Sequence, residues 1–413
     1  PYDIINRMHI LFITDLYPVN KNEKTTPKTL FNFVQEWEKQ GHNVNVIKPN
    51  FILNSFLRGK PFYKTGQYGK LFNVNYWTPF WFDIKNKILN FINNEILKQV
   101  QKDSEHDNCL DVTLKFFQGL NSKKFLNQIQ NNNNSTDNKK ACPPDFLVIA
   151  HMPSGILFAD KLGVPFVAGV HNSDLEVLTN PLYKFHFQKR LEKALHNAKA
   201  IACRSFVIKD KLLKLYPEFE NKTFAAPSGI KKEIIKQNFH PINKDKIKVL
   251  TCANFKKRKN IDKVIKACKG LENIELTVIG DGKGKYQLKK LDTSVNFTGY
   301  LPHNQVLEKM HNSDIFILPS IWETFGMVYL EAMSQGCITI CTKDDGISGI
   351  IKNGENGFLT LPNANDIKKI ILNIKNMDND SLNTLRYNSF QTIQEYTSDK
   401  CAREYLQQIF KIL

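Results

Sequence analysis

A chain of 413 residues is longer than one hydrophobic core encloses and matches two α/β domains in series. Its 42% hydrophobic and 23% charged residues exclude the composition of a disordered chain. No stretch reaches the ~18 apolar residues of a membrane-spanning helix, and no basic segment followed by an apolar run opens the sequence, so a cytoplasmic protein is expected. The eight cysteines are scattered, without a Cys-x-x-Cys pair or histidines at zinc-ligand spacing, which points to reduced thiols and no structural zinc. The net charge of +17 is uneven: residues 1–250 carry 36 Lys and Arg against 22 Asp and Glu, residues 251–413 only 21 against 18. A basic first half suggests a phosphate-bearing substrate or an anionic membrane surface; a generally lysine- and asparagine-rich composition explains it equally well.

In chain order, the apolar run His9–Thr14 predicts a buried strand, a polar loop with Pro18 and Pro27 follows, and a helical pattern spans 29–40 before Gly41. Asn43–Ile47 is a second strand, so the chain opens as βαβ. Residues 51–100 are rich in aromatics and basic side chains, either a core under an irregular crossover or a surface for lipid or a bulky acceptor. The asparagine run inside 101–144 buries no apolar surface and is expected to be a flexible insertion. Strands at Phe146–Ala150, Phe166–Val170, Ala200–Cys203 and Thr223–Ala225 then alternate with helices at Gly155–Leu162, Leu182–Asn197 and Ser205–Leu215.

A second alternating series begins near Ile247. Its strands are Lys248–Ala253, Glu275–Ile279, Val295–Gly299, Ile315–Pro319 and Ile338–Cys341; its helices are Ile261–Lys269, Lys283–Leu291, Asn304–His311 and Phe325–Ser334. The predicted fold is therefore two doubly wound, Rossmann-like α/β domains. The boundaries are 1–235 for the first, 236–390 for the second, and 391–413 for a terminal helix packing back towards the first domain. Ligands of such sheets bind beyond the carboxyl ends of the strands, which places the productive region in the cleft that the two domains face.

The motif with most chemical content runs from Asn312 to Gly336: a strand, Pro319-Ser320, then Glu323 and, eight residues on, Glu331 at the start of a helix expected from about Thr324. Free amides of a first helical turn favour an anion, and two carboxylates about 12 Å apart at ~1.5 Å per residue suit the two ends of one ligand. Lys256-Lys-Arg-Lys259 follows the first strand of this half directly, where cations would meet phosphates. Gly280-Asp-Gly282 ends the next strand, a turn in which missing side chains permit a close approach. In the first half, His171 and Asp174 close the strand ending at Val170.

These segments resemble glycosyltransferase family 4, the retaining GT-B glycosyltransferases, from Met8 to the C-terminus with the central loop unmatched. The resemblance implies that Glu323 bonds hydroxyls of the transferred sugar, that Glu331 accepts from the ribose, and that Thr324, Phe325, Gly326 and Met327 line the donor site. It also implies that Lys259 holds the donor phosphates. Asn254 stands where the family has an arginine, leaving Arg258 or Lys257 as candidates for the missing charge. Gly280 and Gly282 would admit the nucleotide base, and His171 would reach the reacting centre. Asp174 either orients it or, the safer reading, caps the next helix. The paired glycines that many members carry after the first strand are absent, so Lys24, Thr25 and Thr26 are the acceptor-contacting candidates there, and His151, at a strand end, is another. Pro227-Ser-Gly-Ile230 matches a segment taken as structural.

The expected activity is hexosyl transfer from a nucleotide-diphosphate sugar to a glycan or lipid-linked acceptor with retention, in cell-surface glycan or glycolipid synthesis. No cofactor and no metal are expected. The protein would be cytoplasmic, with peripheral contact at the inner face of an anionic membrane, and would not bind nucleic acid. The alternatives are another GT-B-type enzyme, an epimerase or phosphorylase, and a basic nucleic-acid-binding protein. Gly-x-Ser-x-Gly, P-loop and His-Glu-x-x-His motifs are absent, and no Asp-x-Asp metal motif appears where a nucleotide-sugar enzyme of the other common fold would require one.

Overall fold

A computed structural model describes residues 7–18, 29–49, 67–71, 74–78, 146–183 and 187–413. Thr25, Thr26, Lys24, the insertion at 101–144 and most of the aromatic segment 51–100 lie outside the described residues. The chain forms two compact units, 1–168 with 189–199, and 169–188 with 200–413.

The described elements begin with β1 (His9–Ile13), α1 (Thr29–Lys39), β2 (Asn43–Ile47), β3 (Gln67–Leu71), β4 (Val74–Thr78), β5 (Phe146–His151) and α2 (Met152–Leu162). In the first unit β1 lies between β2 and β5, parallel to both, and β3 is antiparallel to β4. A strand covered on both faces reads as a continuous apolar run, which is why Ile10–Ile13 are all buried. Helix α1 turns Leu30, Phe31, Phe33, Val34 and Trp37 inward, with Trp37 edge-on to Phe12 at 5.7 Å. Gly155 lets α2 approach β1, since a Cβ there would stand 2.7 Å from the Ile13 carbonyl oxygen.

Strand β6 (Val167–Val170) runs into α3 (Asn172–Thr179); then come α4 (Lys189–Asn197), β7 (Ala200–Cys203), α5 (Phe206–Leu215) and β8 (Thr223–Ala225). The single helix expected over 182–197 is not formed. Asn180 ends α3, its side chain accepting from Leu182 N at 3.0 Å, and Pro181 opens a short 3-10 turn before α4 starts at Lys189. Proline has no amide with which to continue α3.

The rest of the second unit comprises β9 (Ile247–Cys252), α6 (Ile261–Cys268), β10 (Ile274–Ile279), α7 (Lys285–Lys289), β11 (Asn296–Gly299), α8 (His303–His311), β12 (Ile315–Leu318), α9 (Met327–Ser334), β13 (Ile338–Thr342), β14 (Phe358–Thr360), α10 (Ala364–Asn376), α11 (Asn379–Glu395) and α12 (Ser398–Ile412). Its parallel sheet has the order β11-β10-β9-β12-β13-β14. Alternate residues feed two cores: Val249, Ile315 and Ile317 pack with α6 and α10 on one face, Leu250, Phe316 and Leu318 with α9 on the other. Helix α12 packs on β7 and β8, with Tyr405 edge-on to Phe224 at 5.6 Å. The order reverses between β9 and β12, whose ladder holds only the pairs Val249–Ile315 and Leu250–Phe316 and does not reach Cys252 and Leu318. A crevice at that switch point is where doubly wound sheets take ligands.

Candidate active site

The loops after β9 and β12 are stitched together at this switch point. After β9 the chain makes a 3-10 turn, Lys257–Lys259, and passes through Asn260 at φ +51°. Asn260 Nδ2 donates to the Pro319 carbonyl at 2.8 Å, and Ile321 N donates to the Arg258 carbonyl at 2.9 Å. Arg258 Nη1 donates to the Trp322 carbonyl at 3.2 Å. Within this frame Lys259 Nζ donates to Glu323 Oε2, Ser320 Oγ donates to the same oxygen at 3.0 Å, and Arg258 Nη1 lies 3.5 Å from it. The Lys259 and Glu323 side chains are 13% and 17% exposed, so the pair is partly desolvated yet open to solvent at one edge.

Asp345, after β13, fixes the peptide that carries Glu323. Its Oδ1 accepts from Glu323 N at 2.8 Å and its Oδ2 from Trp322 N at 2.5 Å. Burial raises the Asp345 carboxyl pKa above its ordinary value, and the two amide hydrogen bonds pull the other way. Gly326 and Gly346 flank the Glu323 side chain; a Cβ on Gly346 would stand 3.1 Å from Glu323 Cβ.

The helix expected from Thr324 begins at Met327. Gly326, at φ +89°, is the left-handed residue before it, and a Cβ there would collide with the Tyr329 ring. Glu323 therefore sits on the loop and only Glu331 on the helix, so the two carboxylates are not spaced along one helical axis. Thr324 and Phe325 belong to the same loop, Phe325 buried. Glu331 Oε1 lies 3.0 Å from Nε2 of His303, the first residue of α8.

Gly280 (φ +132°) and Gly282 (φ +156°) serve the protein's own backbone. A Cβ on Gly280 would overlap the Ala253 carbonyl oxygen, and one on Gly282 would stand 3.0 Å from Phe255 N. Their missing side chains let Phe255 N donate to the Asp281 carbonyl at 3.0 Å. Asn254 is exposed beside this contact, and Arg258 is the guanidinium nearest Glu323 among the described residues.

His171 closes β6 and begins α3. It is 6% exposed, and its backbone N–H donates to Asp174 Oδ2 at 2.8 Å, the capping arrangement expected of Asp174. Burial first, and the Arg204 charge second, hold its pKa well below the ordinary imidazole value, so the ring is neutral. Arg204, 2% exposed, donates to the Ala226 carbonyl at 2.5 Å and to Ser228 Oγ, and its own pKa falls to about 10 through burial. Ser228 thus belongs to a structural contact, as does Gly229, where a Cβ would overlap the Thr397 backbone. His151 departs from its expected place: it is fully buried with its ring 5.2 Å from Phe12, a core side chain of the first unit.

Asp345, Ser320, His303 and Arg204 escaped the sequence reading. Asp345 had a usable signal, a carboxylate just beyond the strand next to β12; His303 had only its position at a helix start. Among the described residues no group of three His, Cys, Asp or Glu is arranged to hold a metal, and no helix is long and apolar enough to cross a membrane.

A doubly wound sheet with a cation–carboxylate cluster at its switch point, in a chain of two α/β units, is the fold class of the GT-B proteins. Residues 232–392 match the model of glycosyl transferases group 1. An uncharacterized glycosyltransferase of Methanocaldococcus jannaschii is 29% identical over 254 residues, 60% of this chain and 68% of that one. The alpha-monoglucosyldiacylglycerol synthase of Acholeplasma laidlawii is 25% identical over 60% of this chain and 70% of its own. Other curated relatives are matched over 50% and 55% of their length. The crystal structure of Anabaena HepE in complex with UDP superposes with a TM-score of 0.61 over 98% of this chain and 100% of that one, at 16% identity, a likeness of fold.

Proposed function

We propose that the chain is a retaining, metal-independent hexosyltransferase that takes its sugar from a nucleoside-diphosphate donor bound at the β9/β12 switch point. One observation carries the reading: Lys259 and Arg258, on the loop after β9, converge on one carboxylate oxygen of Glu323, on the loop after the neighbouring parallel strand β12. In the free protein the cations neutralise Glu323. An arriving diphosphate competes for them, and Glu323, released, accepts hydrogen bonds from the sugar hydroxyls. Glu331 takes the ribose hydroxyls in exchange for His303. As the C1–O bond to phosphate breaks, the positive side chains stabilise the charge growing on the leaving diphosphate. The acceptor oxygen bonds to C1 on the same face, and its proton passes to the departing phosphate oxygen, so no enzyme carboxylate acts as nucleophile.

His171, neutral by burial, is assigned a hydrogen bond to the sugar rather than proton donation. The acceptor is proposed to be a lipid-linked or glycan hydroxyl at an anionic membrane face, in synthesis of cell-surface glycan or glycolipid. The basic first half and the glycolipid-synthase relative support this. UDP in the HepE complex supports a uridine donor as the first to try. Thermal-shift titration with UDP-, GDP- and ADP-sugars is the test: one donor class should raise the melting temperature saturably. Turnover with that donor should then give a product of unchanged anomeric configuration by NMR. Transfer with inversion, or stabilisation by none of the donors, overturns the reading.

A further inference from the structure

The loop between β12 and α9 contains a residue whose conformation and exposure the donor-site reading leaves unexplained. Trp322 has φ +63°, the left-handed region that suits glycine and disfavours a bulky side chain. The residue is nevertheless 60% exposed to water. Two unfavourable features thus coincide on the residue next to Glu323. The conformation is enforced from both sides: Trp322 N donates to Asp345 at 2.5 Å, the following amide to the other Asp345 oxygen at 2.8 Å, and the Trp322 carbonyl accepts from Arg258 at 3.2 Å. Glycine would take this backbone without steric conflict and would present no apolar surface. A rigidly held, solvent-facing aromatic beside a carboxylate is instead built to receive a ligand with one apolar face and a polar rim.

We propose that Trp322 is a saccharide-binding residue, its indole receiving the C–H face of a hexopyranose ring at the Glu323 site. A pyranose carries its ring hydrogens on a flat face and its hydroxyls around the edge. Stacking removes the C–H face and the indole from water together, and leaves the hydroxyls for hydrogen bonds. The inference rests on the donor-site reading of Glu323 and adds the recognition of the ring itself, which either a donor or an acceptor sugar can supply.

Calorimetric titration of wild type, Trp322→Gly and Trp322→Phe with UDP, with UDP-glucose, UDP-galactose and UDP-N-acetylglucosamine, and with octyl glucoside below micelle formation separates these sources. Trp322→Gly relieves the backbone, so its melting temperature should not fall and its UDP affinity should stay within about twofold of wild type. Its affinity for the sugar-bearing ligand should drop roughly three- to tenfold, with most of it retained in Trp322→Phe. A loss confined to the nucleotide sugars, relative to UDP, assigns the ring to the donor; one confined to octyl glucoside assigns it to the acceptor. Unchanged affinity of Trp322→Gly for all sugar ligands overturns the inference while leaving the donor site standing. A wild type that binds neither UDP nor any nucleotide sugar overturns the donor-site reading and this inference with it.

Discussion

Two strand ends of the second unit meet the same problem, a polar side chain at the carboxyl edge of a parallel sheet, in opposite ways. After β12, Glu323 is paired with Lys259 and Arg258 and stays open at one edge. After β6, His171 is sealed, 6% exposed, and kept neutral by burial beside Arg204. The first arrangement can exchange its partners for a charged ligand, because ion pairs at an open edge are held by modest net energies. The second can only offer hydrogen bonds, because charging the ring would put a second positive charge beside a buried guanidinium. Under the proposed function, a site that takes up a diphosphate and stabilises its departure would use the exchangeable kind of charge at the donor and a fixed, neutral group elsewhere.

The largest expected effect breaks the charged end. Glu323→Ala should lower transfer roughly 10²- to 10³-fold, as loss of a preorganised contact to the reacting sugar does, with an unchanged far-UV circular dichroism spectrum. Initial rates with the best donor measure it, and a fully active variant removes Glu323 from the chemistry. Lys259→Ala should raise the Kd for UDP roughly ten- to a hundredfold by calorimetry, the worth of a charge-assisted contact to phosphate. If Kd stays constant, Lys259 serves only as the counter-ion of Glu323.

Gly280→Ala sharpens the role of the neighbouring turn. The new Cβ overlaps the Ala253 carbonyl, so denaturant unfolding should show a loss of about 1–3 kcal/mol. A stability unchanged from wild type would free Gly280 to be read as a ligand contact alone. The smallest effect concerns the neutral end. The His171 pKa is lower in the folded than in the unfolded chain, so below pH 6.5 the unfolded state binds the proton first. The neutral ring's contribution is complete above about pH 6.5 and is lost as pH falls through that value. The stability difference between wild type and His171→Gln should therefore narrow from pH 7.5 to 5.5; a difference constant across that range contradicts the sealed imidazole.

Much of the second unit was legible because its strands are short apolar runs, buried on both faces and closed by Gly, Pro or polar clusters. Ile247–Cys252, Ile315–Leu318 and Ile338–Thr342 lie within a residue or two of where the pattern puts them. The expected helix start at Thr324 erred because amphipathic spacing says nothing about Gly326, whose positive φ keeps it outside the helix and where a Cβ would meet the Tyr329 ring. Likewise 182–197 has helical spacing throughout, yet a 3-10 turn, Pro181–Tyr183, stands at its start and α4 begins only at Lys189.

Residue types and spacing alone determined the doubly wound architecture and the presence of Lys259, Glu323 and Glu331 after the right strands, because periodicity and strand-end position are properties of neighbouring residues in the chain. That Asp345 grips the Trp322–Glu323 peptide, that Arg258 turns to Glu323, that His303 meets Glu331 and that His151 is core were decided only by the tertiary structure. Each depends on residues tens of positions apart or more, brought together by parallel strands whose crossovers send consecutive loops to one edge of a sheet. No local pattern records which loop will face which.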